Sequence, residues 1–322
     1  LTILIEWENV LVAAEDRCVR MLEELAHQIS PFDGGVEVLV LFNPEQISGA
    51  VIEEVLARHL RITPARRDIS VRTVSAPGLH YYDLRNHGAR LAQGGIIVCL
   101  DSDVIPEPGW LSALTSPILT DTRVNFVGGE THLDHTASFF DKAFALGWIF
   151  PPRTNDDALR PGNARQFWAN NLACRRSFFL EHPYPTDPNN PESRNACRRL
   201  KQQLEAMGMT IWRAGAARVS HPAPNGWRKA FLHALVEGRD NAIIYHDRGY
   251  GPIRRSLRAV DFAFGRLKQA VRNGLDRRSP TRVPAWQLPG VLLVLIPYYT
   301  MTIAGAWAHA WLPTRIWARW NI

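Results

Sequence analysis

Asp101 and Asp103 stand one residue apart at the end of the run "GGIIVCLDSD". Five apolar residues lead straight into two carboxylates, and "VIPEPGWL" follows them. Like charges this close repel and raise each other's pKa unless something positive holds them. A divalent cation is the economical partner, since hard cations take carboxylate oxygens. Such a pair also occurs in plain solvated turns, so the carboxylates gain meaning only from the elements that position them.

Those elements can be read from periodicity. The run Ile96 to Leu100 does not alternate, as expected of a strand covered on both faces. Leu1 to Ile5, Val36 to Phe42 and Val71 to Val74 read as further strands. Apolar residues at helical spacing predict helices over 11–29, 46–60 and 82–92. This alternation predicts βαβ units in an α/β fold with a mostly parallel sheet flanked by helices. Asp101 and Asp103 would then lie where a strand leaves the sheet, where open parallel sheets bind ligands. In the helix before them, Gly88 and Ala92 fall at i and i+4, letting the backbone approach the sheet closely. After Trp110 the rhythm is less regular: a strand over 124–127, a helix over 138–150, a loop over 151–162, a helix over 195–207 and a short strand over 210–213 are expected.

The chain has 322 residues, 46% hydrophobic and 21% charged, with a net charge of +6. These values fit a globular protein with acidic partners such as a nucleotide, a nucleic acid or an anionic membrane. Four cysteines, at 18, 99, 174 and 197, form no CxxC pair. They are expected to be reduced thiols in a cytosolic compartment. The first residues already read as a strand with no initiator methionine, so a trimmed N-terminus is expected. From 253 to 282 the basic residues become dense: Arg254, Arg255, Arg258, Arg266, Lys268, Arg272, Arg277, Arg278 and Arg282 face only Asp261 and Asp276. From 283 to 314 no charged side chain occurs. A helix of that length can cross a hydrocarbon core of about 30 Å, and Trp286, Trp307, Trp311 and Trp317 lie towards its ends as interfacial anchors do. Pro289 and Pro297 leave a kinked, tilted or re-entrant segment open, and a buried hairpin of a soluble domain is the plainer alternative. The basic block beside it favours the cytoplasmic face of a membrane. Nucleic acid is not an expected partner, because the block adjoins an apolar segment and no aromatic platform.

The stretch "LRNHGARLAQGGIIVCLDSDVIPEPGWL" resembles the donor-binding signature of inverting family 2 glycosyltransferases of the GT-A fold, with its RNxG, apolar strand and DxD. "LTILIEWEN" is similar to the family's opening strand and nucleotide loop, and "FWANNLACRRSFF" to its acceptor-side segment. "SRNACRRLKQQLEAMGMTIWRAGAARVSHPAP" resembles the helix, strand and late histidine that close the site. The likeness runs in the family's order over about residues 1 to 225. It implies a GT-A domain there, with a donor half to about 110 and an acceptor half beyond. A basic helical segment over 226–282, an apolar membrane-associated segment over 283–314 and a tail over 315–322 would follow. It also implies a Mn²⁺ or Mg²⁺ ion held by Asp103 and His221, with Asp101 binding ribose or supporting the metal through water. Donor contacts would come from Glu6, Trp7, Glu8, Asn43, Arg85 and Asn86, and an acceptor wall from Trp168, Asn170 and Asn171. The partners would be a nucleotide-sugar donor, taken as a UDP-sugar, a glycan or lipid-linked acceptor, and an anionic membrane.

Three departures bear on that reading. The opening loop, usually P-x-Y/F-N-E, is Glu6, Trp7, Glu8, Asn9, Val10. The second strand ends in Phe42 and Asn43 where the family has Asp-Asp. The family's base comes from an E-D pair seven residues before R-L, and here Arg199 and Leu200 are preceded by Glu192 and Ser193. An inverting transfer needs a carboxylate to take the acceptor's proton, and serine cannot serve unaided. Either Glu192 swings in, or Asp187 serves, or the chain is a degenerate relative that binds nucleotide sugar or glycan without turnover. At a helix N-terminus Glu192 could also simply complement the dipole.

Overall fold

The computed structural model describes residues 1–11, 15–62, 68–133, 138–147, 150, 153–162, 167–186, 195–224, 226–277 and 283–312. The chain divides into two compact units, Leu1–Thr131 with Asn155–His221, and His132–Thr154 with Pro222–Ile322.

In chain order the elements are β1 (Thr2–Glu6), α1 (Glu15–Ile29), β2 (Val36–Phe42), α2 (Gly49–His59), β3 (Ile69–Ser75), α3 (Tyr81–Leu91) and β4 (Ile96–Asp101). Then come β5 (Ile105–Pro106), α4 (Trp110–Thr120), β6 (Phe126–Leu133) and α5 (Phe139–Gly147), of which α5 belongs to the second unit. The first unit continues with β7 (Leu159–Gly162), β8 (Asn171–Arg175), α6 (Arg176–Glu181), α7 (Ala196–Ala206) and β9 (Ile211–His221). Among the described residues the strands form one sheet in the order β3-β2-β1-β4-β8-β6-β9-β5, with β7 on β9.

The parallel arrangement expected from the sequence holds for β3, β2, β1 and β4. Beyond β4 the sheet is mixed, because β8 runs antiparallel to both β4 and β6, and β9 antiparallel to β5 and β7. β1, β2 and β4 are buried along their whole length. One apolar cluster, including residues of α1, α2 and α4, and a second, including residues of α3, α6 and α7, cover the sheet. β3 alternates between exposed and half-buried positions, as an edge strand does. Gly88 brings α3 onto β1 and β2: a Cβ there would come within 2.6 Å of Leu41 Cδ1 and 3.1 Å of Leu4 Cδ2.

β9 is much longer than the short strand expected over 210–213, and it runs on to His221. Its arginines and glycine hid it from a reading of apolar pattern. Arg213 pairs with Glu130 at 2.8 Å and Arg218 with Asp157 at 2.5 Å, while Gly215 takes the close approach of Asp156's backbone. The loop expected over 151–162 likewise ends in a strand, β7.

The second unit adds α8 (Gly226–Asp247), α9 (Pro252–Leu275) and α10 (Leu288–Trp311) to α5. α10 packs on α8, α9 and α5. Gly238 and Gly305 permit this, since a Cβ on either would collide with the backbone of the facing helix, at Thr302 and Leu235 respectively. Tyr298 Oη donates to Glu237 at 2.9 Å, Tyr299 Oη donates to the Gly147 carbonyl, and Asn273 donates to the Leu146 carbonyl at 2.9 Å. From Leu288 to Trp311 the uncharged segment is one helix continuing through Pro297, not a hairpin. Over Ala285–Trp311 it is long and apolar enough to cross a membrane by length and composition. One face is buried, while Leu293, Ile296, Trp307 and Trp311 are exposed on the rest. α9 has three faces. Arg255, Ala259, Ala263, Ala270 and Gly274 turn inward, Ile253, Leu257, Phe264 and Leu275 form an exposed apolar stripe, and Arg254, Arg258, Lys268 and Arg272 lie beside that stripe.

Candidate functional site

β4 delivers Asp101 to the C-terminal edge of the parallel strands, and the turn after it carries Asp103. β5 then pairs with the end of β9, Ile105 opposite Ser220, which brings His221 to the same place. Asp101, Asp103 and His221 each offer a ligand atom, all within 4.8 Å of one another. Two carboxylates and an imidazole suit Mn²⁺ or Mg²⁺, so the residues present fit a divalent cation.

The two aspartates have different surroundings. Asp101 is 2% exposed and ion-paired with Arg85, which is fully buried and lies 3.9 Å from the Tyr81 ring centroid. Tyr81 Oη donates to both Asp101 oxygens, at 2.9 and 2.8 Å, and Asn9 Nδ2 donates to Oδ2 at 3.0 Å. Glu6 faces Asp101 in the β1–β4 register. Burial, and then repulsion from Asp101, push its carboxyl well above the usual range. The Asp103 carbonyl accepts from Arg17 Nε at 3.0 Å, and Arg17 Nη2 donates to the Ser220 carbonyl at 2.8 Å and to Ser220 Oγ at 3.2 Å.

Several residues expected to touch the donor are engaged with partners within the protein. Trp7 is 1% exposed and lies in the hydrophobic core, so it offers no open face to a base. Glu8 accepts from the Tyr81 amide at 2.9 Å, placing a negative charge at the start of α3, and lies 3.3 Å from His80. Asn43 Oδ1 accepts from the amides of Glu45 at 3.1 Å and Gly78 at 3.4 Å, tying the turn after β2 to the turn after β3. Arg85 points inward to Asp101. Asn86 grips the backbone of Tyr184 by both groups, Nδ2 to its carbonyl at 2.8 Å and Oδ1 from its amide at 3.0 Å. Side chains of this chemistry bind a ligand or the protein equally well, and here Asn43 and Asn86 take backbone partners and Arg85 a carboxylate.

On the acceptor side, Asn171 is fully buried. It donates to the carbonyls of Glu130 and Ala217, each at 3.0 Å, and accepts from Trp110 Nε1 at 2.8 Å. It stitches the sheet together and is not free to hold a hydroxyl. Asn170 is 4% exposed and accepts from Thr131 Oγ1 at 2.9 Å. Trp168 is half-buried with the Lys201 ammonium 4.3 Å from its ring centroid, and keeps partial access. Burial pulls the Lys201 amine below its ordinary value. Glu192 and Asp187, the two expected bases, lie outside the described residues.

Sequence reading missed Asn9, Tyr81 and Arg17. Asn9 had a signal, since it occupies the asparagine position of the opening loop motif. Tyr81 and Arg17 had none, because only the fold brings α3 to Asp101 and α1 to Asp103.

The model of the family described as "Glycosyl transferase family 2" matches residues 14–182. A probable N-acetylgalactosaminyltransferase 8 of Caenorhabditis elegans is 29% identical over 110 residues, covering 30% of this chain and 26% of that protein. The match thus spans about a quarter of the length of that curated relative. Two solved structures are also similar. A mannosyltransferase from Pyrobaculum calidifontis in complex with GDP-Man and Mn²⁺ is 14% identical, over 99% of this chain and 82% of that one, with a TM-score of 0.49. Glucosyl-3-phosphoglycerate synthase from Mycobacterium tuberculosis, in complex with Mn²⁺, UDP and glucosyl-3-phosphoglycerate, is 17% identical over 77% and 80%, with a TM-score of 0.47. The family match takes in more than half of the sequence and contains the strand end and turn that carry the two aspartates, so the chain belongs to glycosyl transferase family 2.

Proposed function

We propose that the chain transfers a sugar, with inversion, from a nucleotide-sugar donor to a glycan or lipid-linked acceptor, and that it needs a divalent cation. The convergence of Asp101, Asp103 and His221 carries this reading. When bound, the cation neutralises the charge that develops on the leaving diphosphate. Asp103 and His221 hold it, because Asp101 is already committed to Arg85, Tyr81 and Asn9. Glu192, or failing it Asp187, takes the proton of the attacking hydroxyl. A UDP-sugar is the donor we propose, and envelope or exopolysaccharide synthesis at the cytoplasmic face of a membrane is the setting. The exposed apolar and basic faces of α9 support attachment to an anionic surface.

A screen of nucleotide sugars, following hydrolysis and transfer with Mn²⁺ and with EDTA, tests the reading. Turnover of at least one donor that EDTA abolishes is expected. Turnover indifferent to EDTA would overturn it. Ser193, in place of the family's aspartate, favours a second reading: a relative that binds nucleotide sugar and has lost its chemistry. In that case wild type binds but does not turn over, and Ser193→Asp gains activity.

A further inference from the structure

We propose that Arg17 is a positioning residue that sets the spacing between Asp103 and His221 and thereby the site's preference for a small divalent cation. The proposal rests on the metal-dependent reading above. Its ground is the placement of one guanidinium. Arg17 lies on α1, is 7% exposed, and forks between the carbonyl of Asp103 at 3.0 Å and the carbonyl of Ser220 at 2.8 Å, with a third bond to Ser220 Oγ at 3.2 Å. Asp103 belongs to the turn after β4, and Ser220 directly precedes His221 at the end of β9. The side chain therefore links the backbones of two ligand-bearing residues that arrive from distant parts of the sequence.

Among the described residues, the strand pairing that joins these two segments is the short β5, two residues against β9. So short a ladder restrains the ends of the two segments weakly, and a planar fork of donors adds a rigid cross-tie. Lysine cannot replace it. A guanidinium presents several donors in fixed directions, whereas an ammonium on a flexible stem is a point donor that does not brace two carbonyls at a set separation. Selectivity among hard cations depends on cavity size, ligand number and flexibility. Loosening the cross-tie should thus weaken binding of Mn²⁺ and reduce its advantage over the larger Ca²⁺.

The test measures Mn²⁺ binding to the full chain by the loss of the free-ion electron paramagnetic resonance signal, with Ca²⁺ as competitor. Wild type, Arg17→Lys, Arg17→Met, Asp103→Ala and Glu37→Gln are compared. We expect both Arg17 variants to lose about 10- to 100-fold in Mn²⁺ affinity and to show a lower Mn²⁺ to Ca²⁺ preference. Glu37→Gln, which weakens the sheet at its opposite edge, should bind Mn²⁺ as wild type does, so loss of stability alone is not the cause. Arg17→Lys keeps the charge and serves if Arg17→Met does not fold. Unchanged affinity and preference in Arg17→Lys would overturn the proposal while leaving the metal site in place. Tighter Mn²⁺ binding in Arg17→Met would overturn it too, showing that the guanidinium acts as a repelling charge. Failure of wild type to bind Mn²⁺, or equal binding by Asp103→Ala, would instead overturn the metal-dependent reading itself.

Discussion

Asp101 and Asp103 look equivalent in the sequence, but their variants should fail in different ways. Asp101 balances the fully buried guanidinium of Arg85. Removing one partner of a buried pair is destabilising by about 3–5 kcal/mol, so Asp101→Ala should lower the unfolding midpoint strongly, as measured by denaturant titration. Asp103→Ala should leave the fold near wild type and abolish Mn²⁺-dependent binding of a nucleoside diphosphate, followed by calorimetry. His221→Ala should weaken that binding less, because a neutral ligand contributes less than a carboxylate to holding a hard cation. A larger loss from His221→Ala than from Asp103→Ala would reverse the ranking. Glu192→Gln keeps shape and loses basicity, so donor binding should persist while transfer falls by about 100-fold or more. Undiminished transfer would move the proton-acceptor role to Asp187.

At the scale of elements, the edge of the sheet away from the site has its own clasp. Glu37 on β2 accepts from Thr2 Oγ1 at 2.7 Å, from the Gln93 amide at 2.8 Å and from Arg72 at 2.6 Å, joining β1, β2, β3 and the turn before β4. Burial raises its carboxyl pKa, but the bonds from Gln93, Arg72 and Thr2 together outweigh it and leave the group below its ordinary 4.5. A depressed carboxyl contributes stability above its unfolded value and loses it as pH falls through the folded one. Glu37→Gln should therefore be less stable than wild type at pH 7, by about 1–3 kcal/mol, and the two curves should converge in acid below about pH 4.5. Parallel curves across that range would show that the charge contributes nothing. In the second unit, Gly238→Leu should disrupt the packing of α8 on α10, since even a Cβ there meets backbone that cannot yield. Limited proteolysis after His221 should report it.

At the scale of the whole molecule, the four described cysteines are buried and free, and burial pushes the Cys18 and Cys99 thiols up to about 12. None should react with a thiol reagent until the protein unfolds. The exposed stripe of α9, with its basic neighbours, predicts salt-sensitive sedimentation with anionic vesicles and none with neutral ones. Each basic side chain near such a surface contributes about 1 kcal/mol. Phe264→Asp with Leu257→Asp should release the chain from vesicles and leave nucleotide binding intact. Full-length protein that stays in the supernatant with anionic vesicles would end the membrane reading.

The sequence by itself determined the alternation of strands and helices up to Asp101, the strand-end position of the aspartates, the close seat of Gly88 and the uncharged stretch near the C-terminus. These depend on local periodicity, turn residues and charge, which a short window contains. Only the tertiary structure decided which polar side chains find their partners within the protein. Arg85, Asn86 and Asn171 have the chemistry to hold a nucleotide or a sugar, yet the packing of α3 and the long-range pairing of β8 turned them onto Asp101, Tyr184 and the sheet backbone. The same long-range pairing carried β9 past its arginines to His221 and set Arg17 between the segments that meet there. Hydrogen-bonding capacity is a property of the residue, but the partner that fills it is supplied by contacts that span from 16 positions, for Arg85 and Asp101, to 203, for Arg17 and Ser220.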